Sequence, residues 1–239
     1  MALYPLKVFP SGPVFLDAGD DCLTVANLLE TINYAEDFCL ALDFDPYFIA
    51  KLMEAGFLVM SSRFPDSEES EEAGQIILLP KHHLLRSCLF FHELHVKKSV
   101  RRFLSQYELR FDTDFDRITE NCVRIHGSGW LTEPFLQSIR QIRESQDMPV
   151  RPVSFALYRD EKLAAGEFGI ISGKVYTSYS GYYEESNAGS VQIILTAKYL
   201  EKAGFSFWDL GMPLDYKLTF GAREITRKEF MELFQNASV

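Results

Sequence analysis

The sequence predicts an α+β fold, and three observations carry that expectation. Helical periodicity and helix caps dominate the first 145 or so residues. Three apolar or alternating runs then follow each other across short turns between 153 and 183. A long helical stretch finally leads into one short apolar run that ends in an acid, Asp209.

In order, DFDPYFIAKLMEAGF reads as a helix that Asp45 can cap, with Pro46 suited to its first position and Gly56 to its end. Ile49, Leu52 and Met53 form its apolar stripe. The block DSEESEE, residues 66–72, carries Asp66, Glu68, Glu69, Glu71 and Glu72 and reads as a solvated loop. QIILLP (75–80) is a strand candidate, which makes residues 1–88 a small N-terminal α/β domain. LFFHELHV alternates as a strand and leads into a helix over 97–106. FDTDFDRITENCVRI reads as a capped helix, and EPFLQSIRQIRES as another, with Phe135, Ile139 and Ile142 on one face. VSFALYRD, KLAAGEFGII and KVYTSYSGYY form a meander joined by the turns DEK and SGK. NAGSVQIILTAKYLEKAG is a helix stopped by Gly204, FSFWDLG a strand, and TRKEFMELF a final helix with Thr226 as cap. This order predicts an N-acetyltransferase-like mixed sheet with flanking helices over 89–239.

Composition narrows the function. The chain has 239 residues, 47% hydrophobic, which is ample for packed cores. No run reaches the roughly 18 apolar residues of a membrane helix, and no leader pattern opens the chain, so a cytoplasmic protein without membrane association is expected. Cys22, Cys39, Cys88 and Cys122 are scattered and read as reduced thiols. A net charge of −10 argues against a general nucleic-acid coat, yet Lys97, Lys98, Arg101 and Arg102 cluster at helical spacing, so a local anion site stays open. The pairs His82 and His83, and His92 and His95, lack a cluster of metal-ligand spacing, and no Ser or Cys elbow is present. A coenzyme A cradle would need a second Gly or Ala and a basic residue around Gly189 in ESNAGSV, and both are missing. No cofactor is expected.

Several collinear segments across residues 40–235 resemble the leucyl/phenylalanyl-tRNA–protein transferases. DFDPYFIAKLMEAGFLVM is similar to that family's DLSPxxLxxAYxxGIFPW, ELHVKKSVRRF to SLHIxRSxKRF, and SGWLTEPF to xTWITxxM. The stretch from Ser186 to Phe230 is similar to NASKxALxxLxxxLxxxGFxLIDCQxxxxHLxSLGAxxIxRxxF. The resemblance implies a monomer with an acetyltransferase-like fold used without coenzyme A. It implies transfer of an amino acid from aminoacyl-tRNA to the N-terminal amine of a protein, an N-degron mark for degradation.

Asp209 falls on the family aspartate that supports catalysis, with Asp215 in reserve. Trp130 and Thr132 fall on the WIT segment, Asn187 on the Asn before the long helix, and Lys97, Lys98, Arg101 and Arg102 on a tRNA-backbone contact. Each also has a structural reading: strand-end acid, core tryptophan, helix N-cap, solvated helix face. The departures sit around the site. Gly211 replaces a relay glutamine, Tyr179 beside Ser180 replaces the glutamate of GES, and Glu167 replaces a methionine of the apolar side-chain pocket. Leu78 and Leu79 replace a tandem Trp, and Lys81, His82 and His83 replace a DPR. A carboxylate at Glu167 would disfavour leucine and favour a cationic amino acid, provided that it points inward. A catalytically silent tRNA- or peptide-binding homologue and an acetyl-CoA-type N-acyltransferase remain the alternatives.

Overall fold

The computed structural model describes residues 5–8, 12–65 and 74–237. The acidic block 66–72 lies outside the described residues, and the N-terminal twelve are described only in part. The first elements are β1 (Lys7–Val8), β2 (Val14–Phe15), α1 (Cys22–Thr31), α2 (Pro46–Glu54), β3 (Leu58–Pro65), β4 (Gly74–Lys81) and β5 (Leu85–Leu89). Then come α3 (Lys98–Arg101), β6 (Glu108–Phe111), α4 (Phe115–His126), α5 (Glu133–Glu144), β7 (Arg151–Arg159), β8 (Lys162–Ser172) and β9 (Val175–Tyr183). They are followed by α6 (Ala188–Lys202), β10 (Phe207–Asp209), α7 (Asp215–Leu218), β11 (Arg223–Thr226) and α8 (Arg227–Ala237).

These elements group into two compact units. The first comprises Met1–Leu84, Gly127–Val150 and Arg227–Gln235. Helix α2 starts as its sequence dictates: the Asp45 carboxylate accepts from the Phe48 amide at 2.9 Å, and Pro46 occupies the first turn. Ile49, Leu52 and Met53 are buried. Gly56 ends the helix at φ +92°, where a side chain would be strained. Strands β3 and β4 form a long antiparallel hairpin from Leu58–Lys81 to Pro65–Gly74. The buried Ser61 hydroxyl of β3 donates to the Trp130 carbonyl at 2.8 Å and accepts from the Thr132 hydroxyl at 2.9 Å. That pins the segment leading into α5, whose Phe135, Ile139 and Ile142 are buried.

The second unit comprises Leu85–His126, Arg151–Thr226 and Asn236–Val239. Its core is a seven-stranded mixed sheet in the order β11-β5-β10-β9-β8-β7-β6. Only β9 and β10 are parallel; the other neighbours run antiparallel. Strand β7 turns into β8 through Asp160 and Glu161, both at positive φ, as a tight hairpin requires, and β8 turns into β9 through Gly173, also at positive φ. Strand alternation divides the side chains between two faces. Helix α4 covers one face, where Phe115 meets Phe168 edge-on and Asn121 donates to the Tyr182 hydroxyl. Helix α6 covers the other, where Ala197 and Leu200 pack with Val153, Phe155, Tyr176 and Trp208.

Two sequence expectations change. LFFHELHV is not one strand: β5 stops at Leu89 and Phe91–Glu93 is a 3₁₀ turn. Its apolar alternation arises because buried Phe91 joins the α6-side core from a turn. The helix expected over 97–106 is one turn, α3, followed by a 3₁₀ turn at Leu104–Gln106. Lys97 with Arg101, and Lys98 with Arg101 and Arg102, place like charges three or four positions apart, which repel along a helix and do not favour its extension.

Candidate functional site

Strand β10 is short, and that shapes the site. Phe207, Trp208 and Asp209 pair with Val175, Tyr176 and Thr177 of β9. Beyond them the neighbours diverge. The Leu210 amide donates to the Ser87 carbonyl, and the Ser87 amide donates to the Gly211 carbonyl, both at 2.8 Å. The chain after Asp209 thus stays with β5, while β9 continues to Tyr183 against β8. A fork opens where β10 and β9 part.

Asp209 closes the root of this fork and is fully buried. Its Oδ1 accepts from Arg86 Nε at 2.9 Å and from the Gly211 amide at 2.9 Å. Its Oδ2 accepts from Arg86 Nη2 at 2.8 Å and from the Thr177 hydroxyl at 3.0 Å. Each oxygen therefore has two donors, and the paired guanidinium offsets the cost of burying the charge. Burial works against the Arg86 charge, but the Asp209 carboxylate outweighs it and raises the guanidinium above its ordinary pKa. Gly211 sits at φ +77°, a conformation that glycine adopts freely, and this brings its amide back onto the carboxylate. Lys217 grips the same turn, donating to the Leu210 and Met212 carbonyls at 2.6 Å each. Burial pushes its ammonium down to about 8, against the pull of Asp209.

The other face of the fork holds a different carboxyl. Glu167 of β8 pairs with Phe155 and Gly181 and is only 8% exposed. A Cβ on Gly181 would lie 3.0 Å from that of Glu167, so the glycine makes room for it. Burial raises Glu167 to about 8, opposed by Tyr176 and Ser178 beside it. Ser178 accepts from the Trp208 indole at 2.7 Å. Since Tyr176 and Ser178 alternate with Thr177, Glu167 and Asp209 lie on opposite faces of the sheet. Residue Tyr179 is the extra one at a bulge, because Phe168 pairs with Ser180 and Gly169 with Ser178. Its ring lies 6.0 Å from that of Phe168, on Asp209's face. Ser180, one residue on, is bonded with Cys122 of α4, whose thiol burial pushes up to about 12.

The remaining candidates are spread out. Trp130, half-buried, and Thr132, buried, belong to the first unit and meet at Ser61. Asn187 stands before α6 at φ +70° without a capping hydrogen bond from its side chain, so its fit there is conformational. Gly189 is explained by packing: a Cβ there would sit 3.0 Å from the Tyr183 ring. Asp215 is exposed at the start of α7. Lys97, Lys98, Arg101 and Arg102 are all exposed around α3.

The sequence reading missed Arg86 and Lys217. A signal existed for Arg86: it interrupts the apolar run LLRSCLFF much as Asp209 ends FSFWD, and two opposite charges in strand-like runs invite pairing. Lys217 left none. Among the described residues, no group of His, Cys, Asp and Glu could hold a metal ion, and no helix is long and apolar enough to cross a membrane. All four cysteines are buried and none is in a disulfide.

The forked mixed sheet, with a buried acid at its root, defines an α+β protein built around a strand-end site. Residues 88–235 match the family described as leucyl/phenylalanyl-tRNA protein transferase. The chain is 29% identical over 155 residues to the leucyl/phenylalanyl-tRNA–protein transferase of Pseudomonas entomophila and 30% identical over 155 residues to that of Pseudomonas putida. Each match covers 62% of this chain and 66% of the relative, so just under two thirds of those relatives is spanned. Among solved structures it is similar to L-PGS from Bacillus licheniformis, at 11% identity and a TM-score of 0.42, over 95% of this chain and 82% of that one. The chain belongs to the leucyl/phenylalanyl-tRNA protein transferase family.

Proposed function

We propose that this protein is an aminoacyl-tRNA-dependent transferase that joins an amino acid to the N-terminal amine of a protein or peptide. The observation that supports this best is the pinned turn Asp209–Met212 at the fork, inside the residues that match the family. The chemistry asks little of the protein. The aminoacyl ester is already activated, and a peptide amine with a pKa of roughly 7.7–8.0 is partly neutral at pH 7. Holding amine and ester in contact supplies most of the acceleration. Asp209 acts by holding Arg86, Thr177 and the Gly211 amide in one geometry, because both its oxygens are already saturated with donors. Direct proton acceptance would require one of those donors to leave.

In this reading the fold is acetyltransferase-like and works without coenzyme A, as a cytoplasmic monomer. Lys97, Lys98, Arg101 and Arg102 contact tRNA phosphates, and Trp130, Thr132, Tyr179, Ser180, Asn187 and Asp215 contribute to substrate binding. Glu167 disfavours leucine, so the transferred amino acid differs from that of the family's name. One observation favours the second reading, a tRNA- or peptide-binding homologue without turnover: the acid at the fork has no free lone pair, and Gly211 supplies no side chain. The test is transfer of labelled amino acids from charged tRNA to a model peptide. Transfer that is lost in a Gly211→Val variant is expected. Tight tRNA binding with no transfer of any amino acid would establish the second reading instead.

A further inference from the structure

After the fork the chain exposes four alternate apolar side chains: Met212 at 52%, Leu214 at 42%, Tyr216 at 52% and Leu218 at 46%. This ridge is anchored at both ends. Lys217 ties α7 to the Leu210 and Met212 carbonyls of the fork turn, and the Tyr216 ring has its centroid 5.9 Å from that ammonium. Beyond α7, the His95 amide donates to the Phe220 carbonyl at 2.9 Å, and Phe220 joins one core cluster with Val100 of α3. Gly221 lets the two segments close up, since a Cβ there would lie 2.0 Å from the Glu93 carbonyl oxygen. The ridge thus leads from the end of β10 to the turn that carries Lys97, Lys98, Arg101 and Arg102.

Charge indicates what suits this surface. Arg110, Arg124, Arg151, Arg159 and Arg223 of the same unit each have a carboxylate partner. Lys97, Lys98, Arg101 and Arg102 are exposed and have none among the described residues. The acid excess of the chain lies in the first unit, while the second is close to neutral. A polyanion is therefore repelled by the first unit and drawn to this turn. Cations beside an exposed ring form the arrangement that holds single-stranded nucleic acid, the cations taking phosphates and the ring taking a base. We propose that Tyr216, flanked by Met212, Leu214 and Leu218, is the stacking platform for an unpaired base of the RNA's 3′ end. The inference rests on the aminoacyl-tRNA reading and names the part of the RNA that this ridge receives. The 3′ end carries the amino acid to the fork, so the nucleotides before it cross α7. Asp215, exposed on α7, repels phosphate and leaves the ridge to bases. A paired stem, whose bases face one another, gains nothing from the ring.

Fluorescence anisotropy with a labelled tRNA, and with the same tRNA trimmed of its unpaired 3′ end, over a series of salt concentrations, tests this. Tyr216→Ala is expected to weaken binding of the intact tRNA at least about fivefold and to leave the trimmed one unchanged. The dependence on log salt should stay as it is, because stacking releases no counterions. Tyr216→Trp should keep the affinity, and its added indole emission should be quenched by the intact tRNA and not by the trimmed one. Unchanged binding of intact tRNA to Tyr216→Ala, or an equal loss on both RNAs, overturns the inference and leaves the aminoacyl-tRNA reading standing. So does a raised KM for the acceptor peptide with RNA binding unaltered, which would assign the ridge to the acceptor. Failure of the unaltered protein to bind either RNA overturns both.

Discussion

Glu167→Gln should stabilise the protein increasingly as pH rises. The carboxyl titrates at about 8 in the folded protein, against an ordinary 4.5, because burial disfavours its charge. Below 4.5 both folded and unfolded forms hold the proton, and the carboxyl costs nothing extra. Between 4.5 and 8 the unfolded chain gives the proton up while the folded chain keeps it, so stability falls with pH and levels off above 8. The slope is ~1.4 kcal/mol per pH unit, which gives a loss of about 3 kcal/mol between pH 5 and pH 7.5. Glutamine has the same shape and no proton to lose. Urea denaturation of both proteins at pH 5, 6, 7.5 and 8.5 isolates the effect, since Lys217 and every other titrating group cancel in the difference. A Trp130→Phe background leaves Trp208, beside Ser178, as the sole tryptophan reporter. The variant's advantage should grow by about 3 kcal/mol over that range, roughly 6–12 °C in Tm. A difference that stays flat from pH 5 to pH 8.5 would refute the reasoning.

Three further outcomes are expected. Arg86→Met strands the Asp209 charge and should cost about 3–5 kcal/mol, much of it recovered in the double variant Arg86→Met, Asp209→Leu; an additive double variant in chemical denaturation would contradict the coupling. Gly169→Ala would place a Cβ 2.2 Å from the Thr177 carbonyl oxygen, so it should destabilise by about 3 kcal/mol or more, whereas Gly204→Ala meets no neighbouring atom and should suffer only from its positive φ. Charge reversal at Lys97, Lys98, Arg101 and Arg102 should weaken tRNA binding and flatten its dependence on log salt by about three units of slope or more; an unchanged slope would return those residues to solvent.

Much of this was legible in local chemistry. Helix α2 followed from Asp45, Pro46 and the spacing of Ile49, Leu52 and Met53, and the meander β7–β9 from apolar runs broken by DEK and SGK. Such features depend on residues within a few positions of each other. Where a pattern had two physical causes, the reading failed: alternation in LFFHELHV came from one-sided packing of a turn, and basic spacing after it did not make a long helix.

By itself the sequence determined the α+β class, the order of elements, the family motifs and the presence of an acid at the end of FSFWD. Tertiary structure alone decided what surrounds that acid. Arg86 is 123 positions away and reaches Asp209 only because β5 and β10 are neighbours in the sheet. The same holds for Glu167, whose carboxyl is raised by burial between its β7 and β9 neighbours Phe155 and Gly181, and for its place on the sheet face opposite Asp209. Side-chain periodicity is a property of the local backbone, whereas charge pairing and desolvation depend on strand order and register between distant segments.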